Sequence, residues 1–107
     1  MTIKYKNAKV DLTTTGATAV LTPANATTAV IKSILASEDS GNADTITVTI
    51  TDTADAVFSV FKVKAVAANT TVELLTQPLV LAESEVLKAT AATANRLHIV
   101  ASYMEIS

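Results

Sequence analysis

The segment Asp44-Thr-Ile-Thr-Val-Thr-Ile-Thr-Asp52 alternates three aliphatic residues with four threonines between two aspartates. Successive side chains of a β-strand point to opposite faces of a sheet, so this alternation predicts a strand with one aliphatic and one threonine face. β-Branched residues on both faces favour a strand over a helix. We therefore expect Ile46, Val48 and Ile50 to face a core, and the threonines to face water or a polar interface.

The rest of the chain repeats this pattern of short apolar segments separated by turn residues, at spacings of about 8–12 residues. Further strands are predicted at residues 1–12, 17–22, 27–37, 56–64, 70–75, 79–81, 86–90 and 96–107. The absence of a helical pattern predicts an all-β protein, an antiparallel β-sandwich of about eight strands. Jelly-roll and Ig-like arrangements both fit the strand count and spacing.

The chain length of 107 residues predicts one domain, with residues 1–12 forming an edge strand or an N-terminal arm. Pro78 is expected to confine the strand at 79–81 to a sheet edge or a strand start. In the strand at 27–37, regular alternation places Val30 and Ile34 on one face and Ala29, Ile31 and Leu35 on the other. Both phenylalanines lie at 56–64, and we expect them to contribute most to the core.

The composition narrows the class of protein. Half of the residues are hydrophobic, charged residues make up 17%, the net charge is −2, and cysteine is absent. A chain without cysteine has no disulfide and no cysteine metal site, and a near-balanced charge argues against nucleic-acid binding. The sequence contains no signal-peptide pattern and no apolar run long enough to span a membrane, so we expect synthesis in a cytoplasm. Weak charge gives little repulsion between copies, which favours a protein that functions in an assembly.

No set of residues has the spacing of a catalytic or metal-binding motif. His98 is the only histidine and lies within a predicted strand, where a structural or interface role is expected. Glu38, Asp39 and Asp44 form an acidic cluster that lacks the spacing of an EF-hand loop. We therefore expect no enzymatic activity, no cofactor and no metal.

Two parts of the chain resemble small β-sandwich structural proteins of tailed bacteriophages. The first runs from Pro23-Ala-Asn-Ala-Thr-Thr-Ala-Val-Ile-Lys-Ser-Ile-Leu-Ala-Ser37 through Asp39-Ser-Gly into the threonine strand. The second comprises Pro78-Leu-Val-Leu81, Glu85-Val-Leu-Lys-Ala-Thr90 and Val100-Ala-Ser-Tyr-Met-Glu-Ile106. Many of those proteins have a glycine-aspartate turn before the penultimate strand, where this chain has Glu83-Ser-Glu85.

The resemblance implies a virion structural protein, most simply a capsid decoration (cement) protein that stabilises the head. It would associate with itself, preferably as a trimer, and with other virion proteins such as the major capsid protein. The alternative is a neck, collar or tail-fibre module that recognises a host surface glycan. The localisation implied is the virion, after synthesis in the host cytoplasm.

Four residues are the predicted interface: Tyr5 and Lys6 in the N-terminal segment, and Asn25 and Asn69 in two similar turns. In each turn an asparagine follows an alanine, and a Thr-Thr pair opens the next strand. An asparagine in such a turn is expected to bond to nearby backbone through its side chain.

Overall fold

A computed structural model describes residues 1–107 and contains nine β-strands and no helix. The strands are β1 (Ile3–Asp11), β2 (Thr18–Leu21), β3 (Thr28–Glu38), β4 (Asp44–Thr51), β5 (Val57–Val66), β6 (Thr71–Glu73), β7 (Leu79–Leu81), β8 (Val86–Ala91) and β9 (Leu97–Ile106). Each lies within or near a predicted segment, so the all-β prediction is confirmed.

The strands form two antiparallel sheets whose connectivity distinguishes the two predicted arrangements. One sheet has the order β1-β9-β3-β6, with β7 also paired to β3, and the other has the order β2-β8-β4-β5. β1 thus pairs with β9, β2 with β8, β3 with β6 and β7, and β4 with β5, so the pairs are nested from the ends of the chain inward. This nested pairing, divided between two sheets, is the jelly-roll arrangement.

β3 has an interrupted partner on one side. β6 pairs with Leu35–Ser37 and β7 pairs with Ala29–Ile31, so the two short strands lie one after the other along the same edge. Pro78 comes directly before β7, which pairs only with β3, and the edge position predicted for this strand is confirmed.

The N-terminal segment is an edge strand. All nine residues of β1 pair in register with β9, from Ile3 opposite Ile106 to Asp11 opposite His98. Thr2 and Ser107 exchange two backbone hydrogen bonds, at 2.8 and 2.9 Å, which extend the pairing by one residue pair beyond Ile3 and Ile106. β9 is paired on both sides, by β1 and β3, so it is the paired terminal strand that its apolar pattern predicts.

The core is aliphatic and lies between the inner faces of the two sheets. Ile46 and Val48 are buried as predicted, Ile50 is half-buried, and Thr45, Thr47 and Thr49 lie on the outer face, half-buried. The fully buried aliphatic residues include Leu12, Ile31, Ile34, Ile46, Leu81, Leu87, Leu97 and Ile99. Thr51 departs from the pattern, because it is only 8% exposed and its hydroxyl has no hydrogen-bond partner.

Regular alternation is wrong for β3. A β-bulge at Lys32 inserts one residue opposite β9, so the inward and outward positions exchange beyond it. Ile31 and Ile34 therefore both face the core, while Val30 and Leu35, placed on opposite faces by the sequence pattern, lie on the same outer face. A bulge is set by contacts with the neighbouring strand, which the local pattern does not encode.

The expected role of the phenylalanines is also wrong. Phe58 is 58% exposed and Phe61 is only half-buried, because β5 is the outermost strand of its sheet and is interrupted by register shifts. Val63, between two exposed lysines, has a φ of 54°, and its N–H donates to the side-chain Oγ1 of Thr47 on the neighbouring strand β4, at 3.0 Å. A β-branched residue with positive φ is strained, and the distortion makes this edge a poor template for further strand pairing.

Candidate functional site

The four predicted interface residues do not form one site. Tyr5 and Lys6 lie in β1 and point to opposite faces of the sheet. Asn25 lies before the start of β3 and Asn69 beside its end, so β3 separates the two turns. In both turns it is a threonine that bonds to the backbone: Thr27 donates to Ala24 O and Thr70 to Ala67 O, each at 2.7 Å. The side-chain role predicted for the asparagines is therefore wrong, although the two turns do share one solution.

The turn at Asn69 is held by a buried carboxylate. Glu38, at the end of β3, is only 1% exposed. Its carboxylate accepts hydrogen bonds from the backbone N–H groups of Ser40, Gly41, Asn42 and Asn69, at 2.8–3.1 Å, and from the Ser40 hydroxyl. One side chain thus joins the β3–β4 turn to the β5–β6 turn, and we call this arrangement the Glu38 clasp.

The clasp changes the chemistry of the acidic cluster. The Ser40 hydroxyl bond, and after it the backbone N–H donors, lower the pKa of Glu38 to about 2 against the opposing effect of burial. A carboxylate surrounded by five donors is already occupied, so it has no place for a cation. No group of three or more histidine, cysteine, aspartate or glutamate side chains is arranged to hold a metal ion.

A second glutamate stabilises the bulge in β3. Glu73 of β6 accepts hydrogen bonds from the Ser33 hydroxyl, the Ile34 N–H at 2.9 Å and the Leu75 N–H at 3.2 Å. Burial raises the pKa of Glu73, but these donors together outweigh it and the pKa is lowered. Glu73 is therefore ionised at neutral pH and held in a fixed position on the sheet.

His98 lies at the same end of the sheet as the clasp. Its Nε2 is 3.2 Å from Asp11 Oδ1 and its Nδ1 is 3.7 Å from Asp39 Oδ2, and all three side chains are substantially exposed. It joins the edge strand β1 to the β3–β4 turn. This geometry fits the structural role that its position in a strand predicts.

The outer face of the five-stranded sheet carries an apolar row that crosses four strands. Tyr5 of β1 pairs with Met104 of β9, Met104 with Val30 of β3, and Val30 with Val80 of β7. Tyr5 is 81% and Val80 59% exposed, while the two central residues are half-buried. The adjacent row, towards the end of the sheet, consists of Ile3, Ile106 and Thr28. We call these two rows the apolar rows; neither contains a charged residue.

Exposed apolar side chains are concentrated at one end of the sandwich. We call it the open end; it contains the start of β1 and β3, the end of β9, β7 and the start of β5. Of the seven large apolar residues that are exposed, all but Val63 lie there: Met1, Ile3, Tyr5, Val57, Phe58 and Val80. The opposite end, with the Glu38 clasp and His98, is the clasp end and exposes none of them.

Three concave regions are present, and all are shallow; the smallest, of about 270 Å³, is lined by Lys9, Val10, Asp11, His98, Ile99 and Val100. A depression of about 410 Å³ adjoins the apolar rows and is lined by Tyr5, Lys6, Asn7, Lys32, Ser102 and Tyr103. An open cleft of about 510 Å³ lies at the clasp end, and four of its nine lining residues are alanines. Both of its charged side chains are already bonded within the protein: Asp44 Oδ2 accepts from the Thr93 N–H at 3.1 Å, and Arg96 donates to Ala43 O at 2.9 Å.

Sequence reasoning identified Tyr5 but missed the other residues of the apolar rows. The sequences of β3 and β9 do indicate an exposed apolar surface, because both strands are apolar on two faces and only one face can meet the core. Val30, Val80 and Met104 could have been recognised as surplus apolar residues, but their alignment in one row depends on strand order and register.

In comparisons with known proteins, no protein-family model, no curated protein and no solved structure matches the chain. No helix that is long and apolar enough to cross a membrane is present. By its fold the protein is an antiparallel β-sandwich with jelly-roll connectivity.

Proposed function

We propose that this chain is a structural protein of a tailed-bacteriophage virion, a decoration protein that stabilises the head by associating with itself and with the capsid lattice. The observation that carries the proposal is the concentration of exposed apolar side chains at the open end. Exposed apolar patches of this kind are characteristic of protein–protein contacts. The sequence resemblance indicates the virion as the place of that contact.

The fold alone does not select this function, since jelly rolls occur in viral capsid proteins and in lectins alike. The surface distinguishes them better. The open end has two exposed apolar areas on different sheets: the apolar rows, and the start of β5 with Val57 and Phe58, which are 62% and 58% exposed. Two separate contact areas suit a component that binds both a copy of itself and a shell.

The proposed mechanism is passive. A protein that binds only the assembled lattice stabilises that lattice by mass action, and the stabilisation rises with the logarithm of its concentration relative to its dissociation constant. Burial of apolar area supplies the free energy of binding. Neither a cofactor nor a conformational change is needed.

Immunogold electron microscopy of phage particles from a lysate of the source organism tests the virion assignment. Antibody against the purified chain should label particle heads, and added protein should raise the temperature at which heads release DNA. The Phe58→Ser variant should lose this protection, whereas Val63→Ser, which removes an equally exposed apolar side chain outside the open end, should retain it. Particles without label, or label confined to tails, would contradict the decoration role.

A glycan-binding role at the neck or tail is the second candidate, and Tyr5 is the observation in its favour. An exposed aromatic ring beside a polar depression lined by Asn7, Lys32 and Ser102 has the composition of a sugar subsite. A glycan array probed with the purified protein tests this role. Binding that is lost in Tyr5→Ser and retained in Val63→Ser would favour it over decoration.

A further inference from the structure

We infer that the outer face of the five-stranded sheet binds the same face of a second copy, around a two-fold axis parallel to the strands. The inference rests on the self-association included in the proposed function and specifies its surface and symmetry, with a two-fold dimer in place of the trimer that the resemblance implies. It is carried by the apolar rows, by the area of the face and by the distribution of charge across it.

The area is sufficient for a specific pair. Nine residues on each of β1, β9 and β3, and six on β6 and β7 together, at about 3.4 Å along and 4.8 Å across the strands, give a face of roughly 540 Å². Two such faces would bury about 1,100 Å², just above the roughly 1,000 Å² that a specific protein–protein interface needs. The apolar rows alone would bury much less, so a stable pair requires the whole face.

The charges beyond the apolar rows decide how two faces can meet. One row of the face runs from Lys9 on β1 through Val100 and Leu35 to Glu73 on β6. It thus has a cation at one edge, an anion at the other and two aliphatic residues between them. Because Glu73 is held by Ser33, Ile34 and Leu75, its negative charge has a fixed position.

A two-fold axis parallel to the strands, midway between β9 and β3, exchanges the two edges of the sheet. Tyr5 then lies opposite Val80 of the second copy, and Met104 lies opposite Val30. In the charged row, Lys9 lies opposite Glu73. Every apolar row therefore meets an apolar row and each of these charges meets its opposite, which is the self-complementarity that a two-fold interface requires.

The perpendicular axis lacks this property. An axis perpendicular to the strands and through the middle of the face would place Lys32, the exposed residue of the β3 bulge, opposite Lys32 of the second copy. It would also place Ile3 opposite Asp11 of the second copy. Shifted to the apolar rows, the same axis would cover only about half of the face. Like charges and buried unpaired charges disfavour the first arrangement, and insufficient area disfavours the second.

Light scattering over a range of concentrations tests the pair, and site-specific cross-linking tests the axis. The wild-type protein should have the mass of a dimer at high concentration, and Tyr5→Ser should weaken the dimer by about tenfold or more. Val63→Ser, which changes another exposed apolar side chain, on β5 of the other sheet, should leave the dimer unchanged. A monomer at every concentration, or a trimer, would overturn the inference.

The absence of cysteine makes each introduced thiol unique. Asp11 and Thr71 lie at the two edges of the face, outside the apolar rows, and both are exposed. A mixture of Asp11→Cys and Thr71→Cys should form a mixed dimer with a short bis-maleimide, whereas each variant alone, and the β5 control Ser59→Cys, should not. Cross-linking of Asp11→Cys to itself would overturn the parallel axis. Head labelling is independent of this result, so failure of the pair and failure of the virion assignment are distinguishable.

Discussion

The clasp end and the open end of the sandwich differ in how many of their polar groups are hydrogen-bonded and how many of their apolar side chains are exposed. At the clasp end, Glu38 gathers donors from two turns and His98 lies between two carboxylates. At the open end, the Thr51 hydroxyl has no partner and six large apolar side chains are exposed. The clasp end therefore satisfies the polar groups of its turns within one chain, and the open end leaves apolar side chains exposed. Substitutions at the two ends should consequently differ in whether they change folding or association.

The largest effect is expected from Glu38→Ala. This variant leaves backbone N–H groups of two turns without their shared acceptor, and each partly buried donor that loses its partner is destabilising. The melting temperature should fall on the order of 10 °C. Glu83→Ala, which removes an exposed glutamate with no hydrogen bond, is the matched control and should leave it unchanged. An equal response in both variants would mean that the clasp contributes nothing to stability.

The same carboxylate predicts how stability depends on pH. The pKa of Glu38 is lowered from 4.5 to about 2 by the Ser40 hydroxyl and the backbone donors, so the folded state holds the ionised form. Its stabilising contribution is complete above pH 4.5 and is lost as the pH falls from 4.5 towards 2. Urea titrations at a series of pH values should show wild type losing stability over this range, with Glu38→Gln showing a flatter profile. If wild type and Glu38→Gln lost stability equally over this pH range, the lowered pKa of Glu38 would not be the cause.

Thr51→Val, at the open end opposite Val57, should stabilise the protein, whereas Glu38→Ala at the clasp end should destabilise it. Valine has nearly the same shape as threonine but lacks the hydroxyl that is buried without a partner. The free energy of unfolding should rise by about 1 kcal/mol, as measured by urea denaturation. Thr49→Val, at a half-exposed position on the same strand, should give a smaller change. A loss of stability in Thr51→Val would show that the hydroxyl is satisfied in solution.

Phe58→Ala should cost little, although phenylalanine is the largest apolar residue in the chain. Because this side chain is 58% exposed, truncation should lower the free energy of unfolding by less than about 1 kcal/mol. Leu87→Ala, which truncates a fully buried residue in the same sheet, should cost about 2–5 kcal/mol. If the two costs were similar, Phe58 would belong to the core after all.

The smallest effect is expected from Lys6→Ala. Its ammonium group lies 3.2 Å from Glu105, but both side chains are partly exposed, and such ion pairs contribute about 0–1 kcal/mol. Equilibrium unfolding of wild type and variant at low and high salt should differ by about 0.5 kcal/mol or less, with the difference shrinking as salt is added. A larger cost would mean that Lys6 supports the edge strand through its aliphatic stem.

Local pattern determined the secondary structure of this protein. Alternation and β-branched residues identified the strand at 44–51, and turn residues separated the remaining strands, because both signals act over a few neighbouring residues. The sequence therefore predicted an all-β sandwich, its paired C-terminal strand and the edge positions of β1 and β7. It also singled out Tyr5, one of the two edge residues of the apolar row.

Only the tertiary structure decided the features that depend on residues far apart in the chain. The jelly-roll order pairs residue 3 with residue 106, and the bulge at Lys32 reverses the faces of β3. The Glu38 clasp combines a donor at residue 69 with donors at residues 40–42, and the apolar row aligns residues 5, 104, 30 and 80. A one-residue shift in strand register moves every side chain to the opposite face, so no local pattern can place such a row or such a clasp.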